Sequence, residues 1–382
     1  MADPAPAAPA DRLLEELRRE IDAIDAEIVR QLKRRQEVVR EVLERKKARR
    51  LPVYHPAREE DLISRLRSLG RAEGLDPDYL EEIFRRIMRQ SRLEQSSRLT
   101  PRAVRPGARV LVVGGRGAMG SYFARWFETS GYGVRRLDRD DWDLAPTLCR
   151  GVDLALVAVP IEATGPVVRQ LAPHLPREAL LADLTSVKVD PLAAMLAAHP
   201  GPVLGLHPLF GPTPAALDKQ IVITTPGRHP DQGRWLLEQL AAWGAVVVPA
   251  EAREHDEIME IVQALRHFAT FAFGHFLHRR QVDLGRLLEF SSPIYRLEFG
   301  MVGRLFAQDP GLYAEIIFAS PRRRDLLKAY LASLQEHLEM IDTGDKEAFG
   351  ARFREIARWF DPFSEQALRE SAFLIDKLTE RF

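Results

Sequence analysis

The sequence predicts a multidomain chain: an all-α N-terminal region, a central α/β unit on a doubly wound, mostly parallel sheet, and an all-α C-terminal region. Three observations carry that prediction. No Gly or Pro interrupts the stretch from Asp11 to Leu51, short β-branched runs alternate with helical stretches over 108–250, and from Ala252 onward the pattern is helical again. The expected organisation is a disordered tail over 1–10, helices over 11–98, a linker over 99–107, the α/β unit over 108–250 and a helical end over 251–382. A length of 382 residues suits two or three domains of about 100–200 residues each.

In the N-terminal region Leu14, Leu17, Ile21, Ile24 and Ile28 recur at the 3–4 spacing of one helix face. The first helix should run about 40 residues, or about 60 Å at 1.5 Å per residue, and Pro52 ends it. A second opens near Pro56 and fades at Gly74, and Asp76-Pro77 supplies a cap and a first-turn proline for a third. Two helices of about 18–20 residues do not cover one twice as long, so an intertwined dimer, with the long helices packed on each other, is expected. A polar linker from Ser96 to Pro106 follows. The strands expected next are Arg109–Val113, Gly133–Leu137, Asp153–Val159, Ala179–Asp183, Val203–His207, Gln220–Thr225 and Ala245–Val248.

Composition narrows the function. With 55 basic and 55 acidic residues the net charge is zero, which argues against a dedicated nucleic-acid binder. Residues 1–106 nevertheless hold 24 Lys/Arg against 20 Asp/Glu, so the N-terminal region is basic and the remainder acidic. A single cysteine, Cys149, excludes an internal disulfide and any Cys-x-x-Cys metal motif. No histidine pairs with acids at a metal-ligand spacing, so no metal is expected. No apolar run approaches the length of a membrane helix, and the first ten residues lack the basic start and apolar core of a secretory signal. A cytoplasmic protein without membrane contact is the expectation.

Two motifs carry chemistry. Val110 to Gly120 is a strand running into Gly115-Arg116-Gly117-Ala118-Met119-Gly120 and then a helix, the pattern that lets backbone approach a pyrophosphate at a helix N-terminus. Asp138 ends the next strand, placed for a ribose 2′-hydroxyl, which favours NAD; Arg136 and Arg139 nearby keep NADP open. His207, in Val203-Leu-Gly-Leu-His207-Pro, ends a later strand of the same sheet, where ligands bind beyond the carboxyl ends. It could accept a proton as a hydride leaves. The helical histidines 255, 267, 275 and 278 read as structural, and the adjacency of His255 and Asp256 is expected to split their side chains across a helix.

In the first helix the apolar seam, continued from Ile28, reaches Gln31, Arg35, Val38 and Val42, then Arg45 or Lys46. A charge on a packing seam is costly unless something anionic meets it. Arg35 either pairs with a carboxylate such as Glu59 or belongs to a cationic pocket for an acidic ligand, with Arg18 and Arg58 as further cations and Gln95 as a neutral donor.

These segments resemble the bifunctional chorismate mutase/prephenate dehydrogenases of bacterial tyrosine synthesis, over nearly the whole chain. The likeness rests on Leu-Pro-Val-Tyr-His-Pro-Ala-Arg-Glu (51–59), Val-Val-Gly-Gly-Arg-Gly-Ala-Met-Gly (112–120), Leu-Gly-Leu-His-Pro-Leu-Phe-Gly-Pro (204–212), Gln-Ala-Leu-Arg-His-Phe-Ala-Thr-Phe (263–271) and Ser-Ser-Pro-Ile-Tyr-Arg-Leu-Glu (291–298). The resemblance implies an intertwined-dimer mutase domain, a Rossmann-type NAD domain and a C-terminal dimerisation domain. It further implies that Arg18 of the partner chain, Arg35, Lys46 and Arg58 hold the two carboxylates of chorismate. By the same likeness Lys46 and Gln95 meet its ether oxygen, Glu59 bonds the ring hydroxyl, and Ser91 is a polar lining residue. In the second half it implies NAD-dependent oxidation of prephenate, with Gly115, Arg116, Gly117, Met119, Gly120 and Asp138 at the cofactor. His207 would act on the C4 hydroxyl and Arg304 would grip a carboxylate. Tyrosine is a common effector in this family, and arogenate remains open as an alternative substrate. One departure stands out: many relatives place a serine against the catalytic histidine where this chain has Ala158. Rival readings are a single-activity dehydrogenase whose helices only dimerise, and a nucleotide sensor without turnover.

Overall fold

The computed structural model describes residues 9–49, 56–98, 102–214 and 216–379. The N-terminal helices are α1 (Pro9–Arg49), α2 (Pro56–Ala72) and α3 (Pro77–Arg98). Residues 1–8 of the expected tail lie outside the described residues, while Pro9 and Ala10 are already helical. Asp76 caps α3 by accepting the Asp78 N–H at 2.8 Å. The apolar stripe of α1, from Leu14 through Ile28 to Val42, is exposed in the single chain.

The central unit alternates β1 (Arg109–Val113), α4 (Ala118–Thr129), β2 (Gly133–Leu137), α5 (Ala145–Leu148), β3 (Leu154–Val157), α6 (Ile161–Leu171), β4 (Leu180–Asp183), α7 (Val189–Ala198), β5 (Val203–Pro208), β6 (Ile221–Pro226), α8 (Arg234–Ala242) and β7 (Val246–Pro249). The seven strands are ordered β2-β1-β3-β4-β5-β6-β7, all neighbours parallel except the antiparallel pair β5–β6. β3 is shorter than the sequence suggested at both ends. The Asp153 carboxylate turns to the Arg109 N–H at 2.9 Å and to Arg105 at 2.8 Å, and Pro160 has no N–H to extend the ladder.

Alternation along the strands builds two cores, one on each face. Val110, Val112, Leu154 and Leu156 pack with Phe123, Phe127 and Trp243 on one side, and Leu111, Val113, Ala155 and Val157 pack with Cys149, Val168 and Met195 on the other. The ring of Phe127 meets Trp243 edge-on at 4.9 Å and Tyr132 at 5.3 Å. Burial pushes the Cys149 thiol up to about 11.

The C-terminal region is α9 (Ala252–Met259), a π-helical turn (Glu260–Leu265), α10 (Arg266–Arg279), α11 (Leu284–Glu289), α12 (Pro293–Phe306), α13 (Pro310–Phe318), α14 (Pro321–Asp342), α15 (Lys346–Phe360) and α16 (Phe363–Thr379). Asp283, Asp309, Ser320 and Asp345 cap α11, α13, α14 and α15. Its apolar residues are largely uncovered: Leu334, Leu338, Phe353 and Phe363 are exposed, and Trp359 is 78% exposed. Among the described residues no helix is long and apolar enough to cross a membrane.

Candidate active sites

The chain leaves β1 for β2 on one side and returns to β3 on the other, which opens a crevice beyond the carboxyl ends of β1 and β3. Gly114 turns the chain there at φ +76°, and a Cβ on it would stand 2.4 Å from the Ala158 carbonyl. A Cβ on Gly120 would stand 2.1 Å from the Gly114 carbonyl, so α4 starts flush against the turn only because both positions are bare. Gly117 is the N-cap of α4 and no side chain occupies that helix end. Asp138, half-buried at the end of β2, reaches over the turn to accept the Arg116 N–H at 3.2 Å. Arg116 itself pairs with Asp141 at 3.0 Å, and Met119 packs against the sheet core. Arg136 is held by Glu128 at 2.7 Å. An amide-lined turn, an open helix N-terminus and a carboxylate beside them fit the pyrophosphate and ribose of a dinucleotide.

His207 ends β5 on the same edge of the sheet and is buried. Its Nδ1 meets His255 Nε2 of α9 at 2.8 Å, and His255 Nδ1 meets Asp256 Oδ1 at 2.8 Å. This overturns the expectation for the adjacent pair. Asp256 does not point away: its carboxylate is fixed by the N–H groups of Lys188 at 2.7 Å and Val189 at 3.0 Å, within reach of its neighbour's ring. Nor does His255 only fill space, since its ring bonds both His207 and Asp256. Gln263, on the π turn, brings its Nε2 to 3.2 Å from His207 Nε2, and its buried Oε1 has no partner among the described residues. A π turn at a site is a common device for aiming one side chain out of helical register.

Burial, and then the neighbouring Lys188, His255 and Arg323, hold the His207 pKa well below the usual histidine value, so the ring is neutral at physiological pH. Burial pushes the Asp256 carboxyl up, but the bonds from His255, Val189 and Lys188 outweigh it and leave the pKa below the usual value. Lys188 is fully buried and donates to Asp183, to the Leu206 carbonyl at 2.7 Å and to Thr185 at 3.2 Å. Burial draws its ammonium down and Asp183 holds it up. Through Leu206 this cluster braces the residue next to His207. Arg323 of α14 is buried, donates Nη1 to the Ile316 carbonyl, and leaves Nη2 without a partner. Glu315 of α13 accepts the Ile161 N–H at 2.9 Å, tying the helical end to the start of α6. Arg304 is exposed on α12, where its charge acts on Tyr313 of α13.

In the N-terminal helices Arg35 is half-buried and donates to Ser91 Oγ at 2.9 Å, so among the described residues it is Ser91 rather than Glu59 that meets the seam arginine. Burial lowers its pKa. Arg18 is exposed on α1, Arg58 exposed and Glu59 half-buried on α2, and Ser91 is buried on α3. Lys46 and Gln95 belong to α1 and α3, but their side chains lie outside the described residues. Sequence reasoning missed Asp256, Gln263, Lys188 and Arg323 as site residues. The short Glu-His-Asp run just past the last strand was the available signal for the first.

Comparison with known proteins agrees with this division. Residues 17–96 match the chorismate mutase type II family, 139–248 the nucleotide-binding domain of prephenate dehydrogenase and 251–355 its dimerization domain. A T-protein of Enterobacter agglomerans is 45% identical, covering 94% of this chain and 96% of that protein. One from Haemophilus influenzae is 40% identical, covering 96% and 97%. Among solved structures, prephenate dehydrogenase from A. aeolicus in complex with hydroxyphenyl propionate and NAD+ shares the fold at a TM-score of 0.54 and 19% identity, over 65% of this chain and 96% of that one. With three family models in this order and full-length relatives at this identity, the chain belongs to the T-protein family of bifunctional chorismate mutase/prephenate dehydrogenases.

Proposed function

We propose that the chain works as a homodimer that rearranges chorismate to prephenate in α1–α3 and then oxidises prephenate, with loss of carbon dioxide, to 4-hydroxyphenylpyruvate in the crevice, using NAD. The first reaction is an intramolecular rearrangement, so holding the reactive conformer and stabilising the ether oxygen suffice. Arg18 of the partner chain, Arg35, Lys46 and Arg58 hold the carboxylates. Lys46 and Gln95 meet the ether oxygen, and Glu59 takes the ring hydroxyl. Ser91 fixes the direction of Arg35 before the ligand arrives. The exposed apolar stripe of α1 supports the intertwined dimer, because a second copy of like shape would cover it along its length.

In the second site the amides around Gly115, Arg116 and Gly117, with Met119 and Gly120 behind them, take the pyrophosphate at the start of α4. Asp138 exchanges the Arg116 N–H for ribose hydroxyls. The engagement of Arg136 with Glu128 counts against a 2′-phosphate. When bound, NAD accepts the hydride from C4 of the substrate. His207 Nε2 takes the C4 hydroxyl proton as the carbonyl forms. The ring carboxylate then leaves as carbon dioxide, its bonding electrons complete the aromatic ring, and His207 returns the proton to the ring oxygen. Arg304 holds a remaining carboxylate. Tyrosine shares the phenol and a carboxylate with the product and is the expected effector.

The observation that carries the reading is a buried, neutral histidine at the ligand edge of a dinucleotide-type sheet, with one ring nitrogen already committed. The test is a paired assay. Arg35→Ala should abolish chorismate disappearance measured without NAD and spare prephenate oxidation, whereas His207→Asn should cut kcat for oxidation by about 10²–10⁴ and spare the mutase. Loss of both activities in either variant would refute the division of labour.

A further inference from the structure

The arrangement behind His207 settles which nitrogen carries which proton. An ionised carboxylate only accepts hydrogen bonds, so the 2.8 Å contact with Asp256 places a proton on His255 Nδ1. His255 Nε2 is then a bare lone pair, and its 2.8 Å contact with His207 requires the His207 proton to sit on Nδ1. His207 Nε2 is left as an acceptor, consistent with donation from the Gln263 amide at 3.2 Å. The chain begins at a fixed point, because two backbone N–H groups at the start of α7 hold Asp256.

Resting on the dehydrogenase reading above, we infer that His255 and Asp256 are positioning residues for His207: they fix the tautomer that presents Nε2 to the substrate hydroxyl and share the charge that proton transfer creates. As the C4 O–H bond breaks, its proton binds His207 Nε2. The Nδ1 proton of His207 shifts toward His255 Nε2, and that of His255 toward Asp256. The shifts reverse when the ring oxygen is reprotonated. The surroundings make such sharing necessary. The groups facing His207 are the cations Lys188 and Arg323 together with His255, and Asp256 and Glu260 are the acids that act on Arg323. A whole positive charge on a buried His207 beside two cations is unfavourable, and Asp256 lies at the far end of the hydrogen-bonded path that leads from Nδ1 through His255.

The experiment uses the full chain, with mutase activity on chorismate as the control for folding. His255→Ala should lower kcat for prephenate oxidation about 10–10²-fold with little change in the KM for prephenate or NAD. The acid limb of its kcat–pH profile should move, because the group that faces His207 Nδ1 is replaced. His255→Gln, whose amide oxygen still accepts from Nδ1, should recover a large part of that loss. Unchanged kcat in His255→Ala, or an equal loss in both variants with an unmoved pH profile, would overturn the relay. His207→Asn separates the two levels: if it is inactive while His255→Ala is normal, only the relay fails, and if it keeps full kcat, the reading of the site itself fails.

Discussion

The central unit and the helical ends solve the problem of burial differently. The seven-stranded sheet carries a closed core on each face, with Phe123, Phe127, Leu154 and Leu181 essentially inaccessible. The α1 stripe and the α14–α16 faces instead present Leu14, Ile21, Ile28, Leu334, Leu338 and Trp359 to solvent in one chain. A sheet flanked by helices on both faces covers itself, whereas long amphipathic helices with few partners cover themselves only across a second copy. The difference teaches that the nucleotide site belongs to one chain, while the mutase site, on the reading above, belongs to two.

Three measurements break or sharpen that contrast. The largest effect is expected from Leu334→Asp combined with Leu338→Asp. Each leucine covered in the proposed dimer is worth about 1.5–3 kcal/mol, so charges there should convert that dimer to monomer by light scattering and reduce far-ultraviolet helicity. Persistence of the dimer would make those faces ordinary surface. Next is Phe127→Ala, which should cost about 3–5 kcal/mol in the central unit and leave the dimer intact. Cys149, the sole thiol and buried, reports this directly: its reaction with a thiol reagent should begin at lower urea, and an unaltered onset would show that the two regions open as one.

The smallest effect concerns pH. The folded-state pKa of His207 is depressed, and that of His199 is also lowered by burial. Each therefore contributes stability that is present above the unfolded value of about 6.5 and lost as pH falls through the folded value. The urea midpoint read from tryptophan fluorescence, four of whose five sources (Trp126, Trp142, Trp235 and Trp243) lie in the central unit, should fall between pH 7.5 and 5.5. The helical ends contain His267, similarly lowered by burial, and their circular dichroism should shift less. An equal shift would remove the contrast.

Much of this was legible from local pattern. β1 and β2 span the residues expected from the sequence, and the glycine turn announced itself because bare Cα atoms are a requirement on sequence. Arg35 was visible as a break in a periodic seam, and Ser91, 56 positions away, is the contact it makes. The relay was not legible. Periodicity assigns neighbours to different helix faces, but at a helix start a carboxylate also bonded to another helix's amides can bend back to its neighbour's ring. Nothing in the spacing of 188, 207, 256 and 263 links residues that only the sheet topology brings together.

The antiparallel β6 has a consequence for where change is tolerated. Because β6 runs back along β5, the chain between them leaves and returns at the edge where His207 sits. Its described residues are tethered at several points: the Tyr122 hydroxyl donates to the Pro214 carbonyl at 3.1 Å, the Leu209 N–H to the Ile221 carbonyl at 2.9 Å and the Lys219 N–H to the Gly244 carbonyl at 2.9 Å. Phe210 and Leu217 anchor it in the core beside α4, so added length spares ladder and core only between those two residues. It is the stretch of chain through which the mouth of the crevice can be reshaped around a fixed histidine.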